Sequence, residues 1–138
     1  MKKDLIIFIA HIDDCECASY GYLFKHYQEY DKIKIITATT WKNKVPVWEK
    51  NKKSLPPSIL SKIIDINLQF EQRTLFEVMD SMKDNFYKKI DFDKRFDILT
   101  HDDNDSHTDH VAVNLVAKGM YKYCNRFITM YSPSSVHF

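Results

Sequence analysis

Two short runs combine histidine with carboxylates at close spacing. His11-Ile12-Asp13-Asp14-Cys15-Glu16 is one, and Asp105-Ser106-His107-Thr108-Asp109-His110 is the other. A catalytic zinc site needs about three protein ligands of the His, Asp, Glu or Cys type and one open position for water. His11 and Asp14 stand three apart at a turn and can converge on one point. His107 and His110 stand three apart at a helix start and share a face. These four residues are candidates for three ligand places, which leaves one histidine over. Asp13 is also left over, and a carboxylate beside a metal site suits general-base chemistry.

The elements around the runs place them together. Leu5 to Ala10 is an apolar run that predicts a buried strand directly before His11, and Asp97 to Thr100 predicts another before the second run. A helix is expected from Glu16 to Tyr30 and another from His107 to Tyr123, the latter with Ala112, Leu115, Val116, Gly119 and Tyr123 on one side. Each run therefore lies where a strand ends and a helix begins, the edge of an open α/β sheet where ligands bind. Lys32 to Thr39, Asn67 to Phe70 and Arg126 to Tyr131 predict further strands. Leu75, Met79, Met82, Phe86 and Ile90 form a core-facing helical stripe. Lys42 to Pro57 reads as irregular, with a short helix starting near Pro57-Ser58. This alternation predicts an α/β fold with a mostly parallel sheet covered by helices on both faces.

Composition excludes several classes. The chain has 138 residues, 44% of them hydrophobic, and a net charge of +1, so one domain is expected and no polyanion partner is implied. The lysines between Lys42 and Lys53 read as a solvated loop, which argues against nucleic acid. No apolar run approaches the roughly 20 residues of a membrane span. Met1-Lys2-Lys3 and the run after it lack a small-residue cleavage site, so a cytoplasmic protein is expected. Cys15, Cys17 and Cys124 make an odd count, against a disulfide framework, and read as structural thiols. Only Gly21 and Gly119 are present. A glycine-rich dinucleotide loop is therefore missing, and nicotinamide binding is not expected.

Ala10-His11-Ile12-Asp13-Asp14-Cys15-Glu16 resembles the first motif of the LmbE-like (PIG-L) zinc de-N-acetylases, Ala-His-Pro-Asp-Asp-x-Glu. Asp105 to His110 resembles their second motif, Asp-x-His-x-Asp-His, in the same order. Tyr131 to Phe138 is similar to the stretch after the family's fifth strand. The resemblance implies a Rossmann-like three-layer sandwich over 1–138, lacking the family's usual C-terminal extension. It implies zinc, or another divalent transition metal, on His11, Asp14 and His110. Asp13 would activate the water held there, His107 would assist the tetrahedral intermediate, and Asp109 would orient His107. Glu16 would hydrogen bond in the first helical turn. The implied reaction removes an N-acetyl group from an amino sugar or related small N-acyl compound. A degenerate metal- or sugar-binding domain of the same fold is the alternative, and retention of Asp13 argues against it.

The sequence departs from the family at several points. Ile12 replaces proline, Thr39-Thr40-Trp41 stands where Thr-Asp-Gly is usual, and no Arg-x-x-Glu follows in Lys44 to Leu60. Substrate recognition must therefore differ. Tyr20 would narrow the pocket, and Trp41 with Trp48 could stack on a sugar or be partly buried. With little chain after Tyr131, either self-association or a permissive, open site is expected. His26 and His137 read as surface or packing residues, His101-Asp102-Asp103 as loop, and Asp105 or Ser106 as a cap for the last helix.

Overall fold

The computed structural model describes residues 2–41 and 44–135, with the side chain of Cys17 also outside the description. The expectations for Cys17, His137 and the apolar terminal Phe138 lie outside the described residues. Five strands form one sheet: β1 (Lys3–Ile9), β2 (Tyr30–Thr39), β3 (Ile63–Phe70), β4 (Phe96–His101) and β5 (Arg126–Met130). Their order is β3-β2-β1-β4-β5, and every pairing is parallel. The chain winds outward from β1 through β2 to β3, then returns to lay β4 on the other side of β1. The β1–β4 boundary is thus the switch point of the sheet, and a crevice opens beyond the strand ends there.

The helices are α1 (Tyr20–His26), α2 (Val45–Lys52), α3 (Pro57–Leu60), α4 (Met79–Tyr87) and α5 (Thr108–Lys118). Strand β1 is buried on both faces, which is why its sequence is continuously apolar. Its side chains alternate between two cores. Leu5, Ile7 and Ile9 join Leu23, Trp48, Leu55 and Ile59 on the α1–α3 face. Ile6, Phe8 and Ala10 join Leu75, Met82, Phe86, Ala112, Val113 and Val116 on the α4–α5 face. Phe8 stacks on Phe86 with ring centroids 4.0 Å apart. Each such aliphatic or aromatic side chain contributes about 1.5–3 kcal/mol on burial, and together they hold the ends of β1 and β4 rigid.

Polar contacts lock those ends. Thr39 Oγ1 donates to the Ala10 carbonyl at 2.7 Å, and Thr100 Oγ1 donates to that of Phe8 at 2.9 Å. At the opposite end of the sheet, buried Asp97 of β4 gathers Lys3 Nζ at 2.8 Å, Tyr30 OH at 2.7 Å and the Arg126 backbone N–H at 3.0 Å. One carboxylate therefore clamps β1, β2, β4 and β5.

Several expectations need correcting. Val45–Lys52 is a helix, not an irregular loop: Pro46 sits in its first turn, where the missing N–H costs no helix bond. Strand β3 starts at Ile63, four residues earlier than its Asn67 start in the sequence reading. The helix after Asp14 begins with a π-helical turn at Cys15–Ser19 and ends at His26, followed by a 3₁₀ turn to Glu29. Helix α5 ends at Lys118, so Tyr123 lies beyond it, and its buried side uses Val113 while Leu115 is exposed. Gly119 stands just past that end, and a Cβ there would require the Tyr87 hydroxyl to shift.

Candidate functional site

The turn after β1 carries His11, Asp13 and Asp14, and the start of α5 carries His107, Asp109 and His110. Both lie at the β1–β4 crevice, as their positions after two strands require. Asp14 bends back so that its Oδ2 accepts the His11 backbone N–H at 2.9 Å. That same oxygen lies 3.3 Å from His11 Nδ1, 3.2 Å from His110 Nε2 and 3.6 Å from His101 Nε2. Three imidazoles thus surround one carboxylate oxygen.

Each ring is held from behind. Asp105 Oδ2 lies 2.8 Å from His110 Nδ1, which leaves Nε2 of that ring facing Asp14, buried and without a hydrogen-bond partner. Asp105 itself accepts from Ser132 Oγ at 2.8 Å, from Ser134 Oγ and from the His107 backbone N–H at 2.9 Å. The loop after β5 is therefore tied into the site through one carboxylate. Asp109 Oδ2 lies 3.0 Å from His11 Nε2 and accepts the Arg73 backbone N–H at 2.7 Å. Asp109 was expected to orient His107; its carboxylate meets His11 instead. His107 is placed by the backbone, its Nδ1 accepting the Asp109 N–H at 3.2 Å as the N-cap of α5. That also corrects the expectation of a cap at Asp105 or Ser106. The Asp109 N–H occupies His107 Nδ1, so its N–H is on Nε2.

The electrostatics follow from this crowding. Burial alone would raise the Asp14 carboxyl, but the close contacts with the His11 and His110 rings hold it well below the usual carboxylate range. Burial pulls His11 and His110 down, and their contacts with Asp14 outweigh it and push both up. His107 has no such carboxylate contact, so burial and the neighbouring His110 and His11 push it down. Asp105 falls to about 2, because hydrogen bonds from Ser134, His107 and His110 overcome its burial.

His101 is the residue that sequence reasoning placed wrongly. It ends β4 rather than lying in a loop, is fully buried, and stacks on His110 with centroids 3.9 Å apart and planes 7° from parallel. Its Nε2 accepts the Ala10 N–H at 2.9 Å, and Asn114 Nδ2 donates to its carbonyl at 2.7 Å. Burial and the adjacent His110 lower it to about 3, so it is a neutral packing wall. Its position after the apolar Ile98-Leu99 pair was the only sequence signal. The other residues missed, Ser132 and Ser134, lay inside the noted stretch after β5.

Among the described residues, two groups could hold a cation: His11, His107 and His110, or Asp14, His101 and His110. His101 Nε2 is already used by Ala10, which weakens the second group. A tetrahedral ion with ligands about 2.1 Å away sets neighbouring ligand atoms roughly 3.4 Å apart. His11 Nδ1 and His110 Nε2 stand at 3.3 and 3.2 Å from Asp14 Oδ2, close to that spacing. His11, Asp14 and His110 together are neither of the two groups but share two members with each, and their nitrogen and oxygen donors are of the kind that suits a divalent transition metal.

The cluster forms the floor of a cavity of about 360 Å³, whose walls include Asp13, Lys44, Gln72, Arg73, His107 and Ser134. Asp13 is largely exposed to it and lies 3.5 Å from Lys44 Nζ. Other expected contributors stand elsewhere. Trp48 is buried in the α1–α3 core, and Trp41 packs against the same core, so neither is a stacking platform. Tyr20 packs there too and does not narrow the cavity. Glu16 accepts both 2.7 Å contacts from Asn51 Nδ2, joining the π turn to α2 rather than capping its own turn. Cys15 is buried with its thiol pushed up to about 12 by burial, an inert structural group. Cys124 is partly buried just beyond α5, and His26 pairs with Glu29 on the surface. No described helix is long and apolar enough to cross a membrane.

The chain carries a histidine-carboxylate cluster at the switch point of a five-stranded parallel α/β sheet, and solved structures share the fold. The N,N'-diacetylchitobiose deacetylase from Pyrococcus horikoshii, complexed with its inhibitor MPG, matches with a TM-score of 0.62 at 15% identity, over 88% of this chain and 50% of its own. The conserved protein TT1542 from Thermus thermophilus matches with a TM-score of 0.61 at 18% identity, over 98% of this chain and 69% of its own. At such identities the likeness is one of fold. The chain spans about half the length of the deacetylase. No family model matches the sequence, and no curated protein matches it.

Proposed function

We propose that the chain is a metal-dependent N-deacetylase that hydrolyses the acetamide of an amino sugar or a similar small N-acyl compound, releasing acetate. The observation that carries this reading is the approach of His11 Nδ1 and His110 Nε2 to one oxygen of Asp14 under a cavity that Asp13 and His107 also line. The fold shared with a deacetylase supports it. His11, Asp14 and His110 would hold the ion, and their nitrogen and oxygen donors suit zinc. When bound, that ion supplies Lewis acidity to the acyl carbonyl and the attacking water.

The chain's own groups supply the proton chemistry. Asp13 accepts the proton of the attacking water at its carboxylate and passes it to the leaving amine. Neutral His107 directs its Nε2–H at the oxygen that gains charge when the carbonyl becomes tetrahedral. Asp109 and Asp105 keep the His11 and His110 rings in one tautomer each, so that the same nitrogen of each faces the centre. Ser132 and Ser134 hold Asp105 in turn.

The test is acetate release from a panel of N-acetylated amino sugars and amino acids, with zinc-loaded and chelator-treated protein. The proposal expects release only from the loaded protein. Metal binding with no hydrolysis of any acetamide would make the chain a binding domain of the same fold.

A further inference from the structure

The cavity wall carries two cations from different segments. Lys44 comes from the segment before α2, and Arg73 from the loop after β3. Arg73 sits in the left-handed region at φ 64°, a conformation that is strained for a non-glycine residue and persists only where neighbours fix it. The fixing contact is its N–H on Asp109 Oδ2, which lies 3.0 Å from His11 Nε2. The Arg73 backbone is thus anchored one carboxylate away from the metal-site candidates. Its guanidinium has no ion-pair partner among the described residues. Lys44 meets only Asp13 among the described carboxylates, at 3.5 Å, with side chains 42% and 63% exposed, a solvated pair of little strength. The other acid in the cavity, Asp14, is engaged by the imidazoles.

We infer that Arg73 and Lys44 receive an anionic group on the substrate, a phosphate or a carboxylate, while the acyl group lies over the histidine cluster. The inference rests on the proposed deacetylase reading and names its substrate class. A planar guanidinium matches either anion with two parallel hydrogen bonds, and a lysine adds a point charge. No Arg-x-x-Glu stands in Lys44 to Leu60, and Arg73 and Lys44 are the cations that line this cavity. Gln72, beside Arg73 on the wall, adds a neutral donor.

The test is calorimetric titration of the zinc-loaded full chain with three amines that lack the acetyl group and cannot turn over: glucosamine, muramic acid and phosphorylated glucosamine. At least one anionic amine should bind at least about tenfold more tightly than glucosamine, because its anion gains charge-assisted hydrogen bonds. The carboxylate and phosphate arms show which anion is preferred. Arg73→Gln and Lys44→Gln should each erase most of that advantage. Arg73→Gly should do the same while relieving the left-handed strain, which separates lost charge from lost folding. Equal affinity for all three amines overturns the inference. So does an anion preference that survives these substitutions, because the ion itself would then hold the anion. An anion preference lost in the variants upholds it even if no acetamide is hydrolysed, and that outcome removes the deacetylase reading alone. Acetate release without an anion preference removes only the present inference.

Discussion

Asp109 Oδ2 lies 3.0 Å from His11 Nε2 and takes the Arg73 backbone N–H on the same oxygen. This carboxylate therefore orients a residue at the end of β1 from a position at the start of α5. It also fixes the loop after β3, so three segments depend on it.

Asp109→Ala should weaken zinc binding by about 10- to 100-fold, the usual cost of removing a carboxylate behind a histidine ligand. Competition with a fluorescent chelator measures this. Unchanged zinc affinity with lower turnover would return Asp109 to the His107-orienting role that the sequence suggested.

Asp13→Asn should lower acetate release by at least about 100-fold and leave zinc content near that of the parent. The amide keeps the shape but cannot accept the water's proton. Metal analysis and turnover on one preparation separate the two effects, and loss of zinc would make Asp13 a ligand.

His107→Gln should reduce kcat by about 100- to 1000-fold while zinc remains bound. Its ring is held by the Asp109 backbone N–H, so the substitution leaves the other rings in place. Loss of zinc on this substitution would favour the His11, His107 and His110 group as the ligand set.

Stability should depend on pH through Asp97, far from the site. Burial raises its carboxyl, but Lys3, Tyr30 and Asn125 overcome this and hold it below its ordinary value. A depressed carboxylate stabilises the fold above the unfolded value of about 3.9, and that contribution is lost as pH falls through the folded value. Asp97→Asn should cost about 1–3 kcal/mol near neutrality, because it removes a buried acceptor of several hydrogen bonds and leaves Lys3 and Arg126 only the exposed Glu29 as an anion. It should also flatten the stability decline below about pH 4. Urea unfolding at several pH values reads both effects.

Much of this was legible in the residues because strand and ligand signals are local. The apolar run of β1 and the stripe of Leu75, Met82 and Phe86 announce burial directly, and the histidine-carboxylate runs stand next to predicted strand ends. What could not be read depends on contacts distant in sequence. Asp109 reaches His11 across 98 positions, and the Ala10 N–H reaches His101 across 91. The α2 helix was hidden because prolines flank a charged segment with no helical apolar period, and only Trp48 in it is buried. Trp41 and Tyr20 look like recognition residues by type, yet the apolar demand of the α1–α3 core claims both. Arg73 gave no signal at all, since its link to the site is a backbone N–H on Asp109, 36 positions away.

The most direct test of the central claim is a crystal structure of zinc-equilibrated protein with anomalous data at the zinc edge. The account predicts one peak at the β1–β4 switch point, about 2.0–2.2 Å from His11 Nδ1, Asp14 and His110 Nε2, with one position open toward the cavity. A peak ligated by His107 or His101 in place of Asp14, or no peak at this cluster, would contradict it.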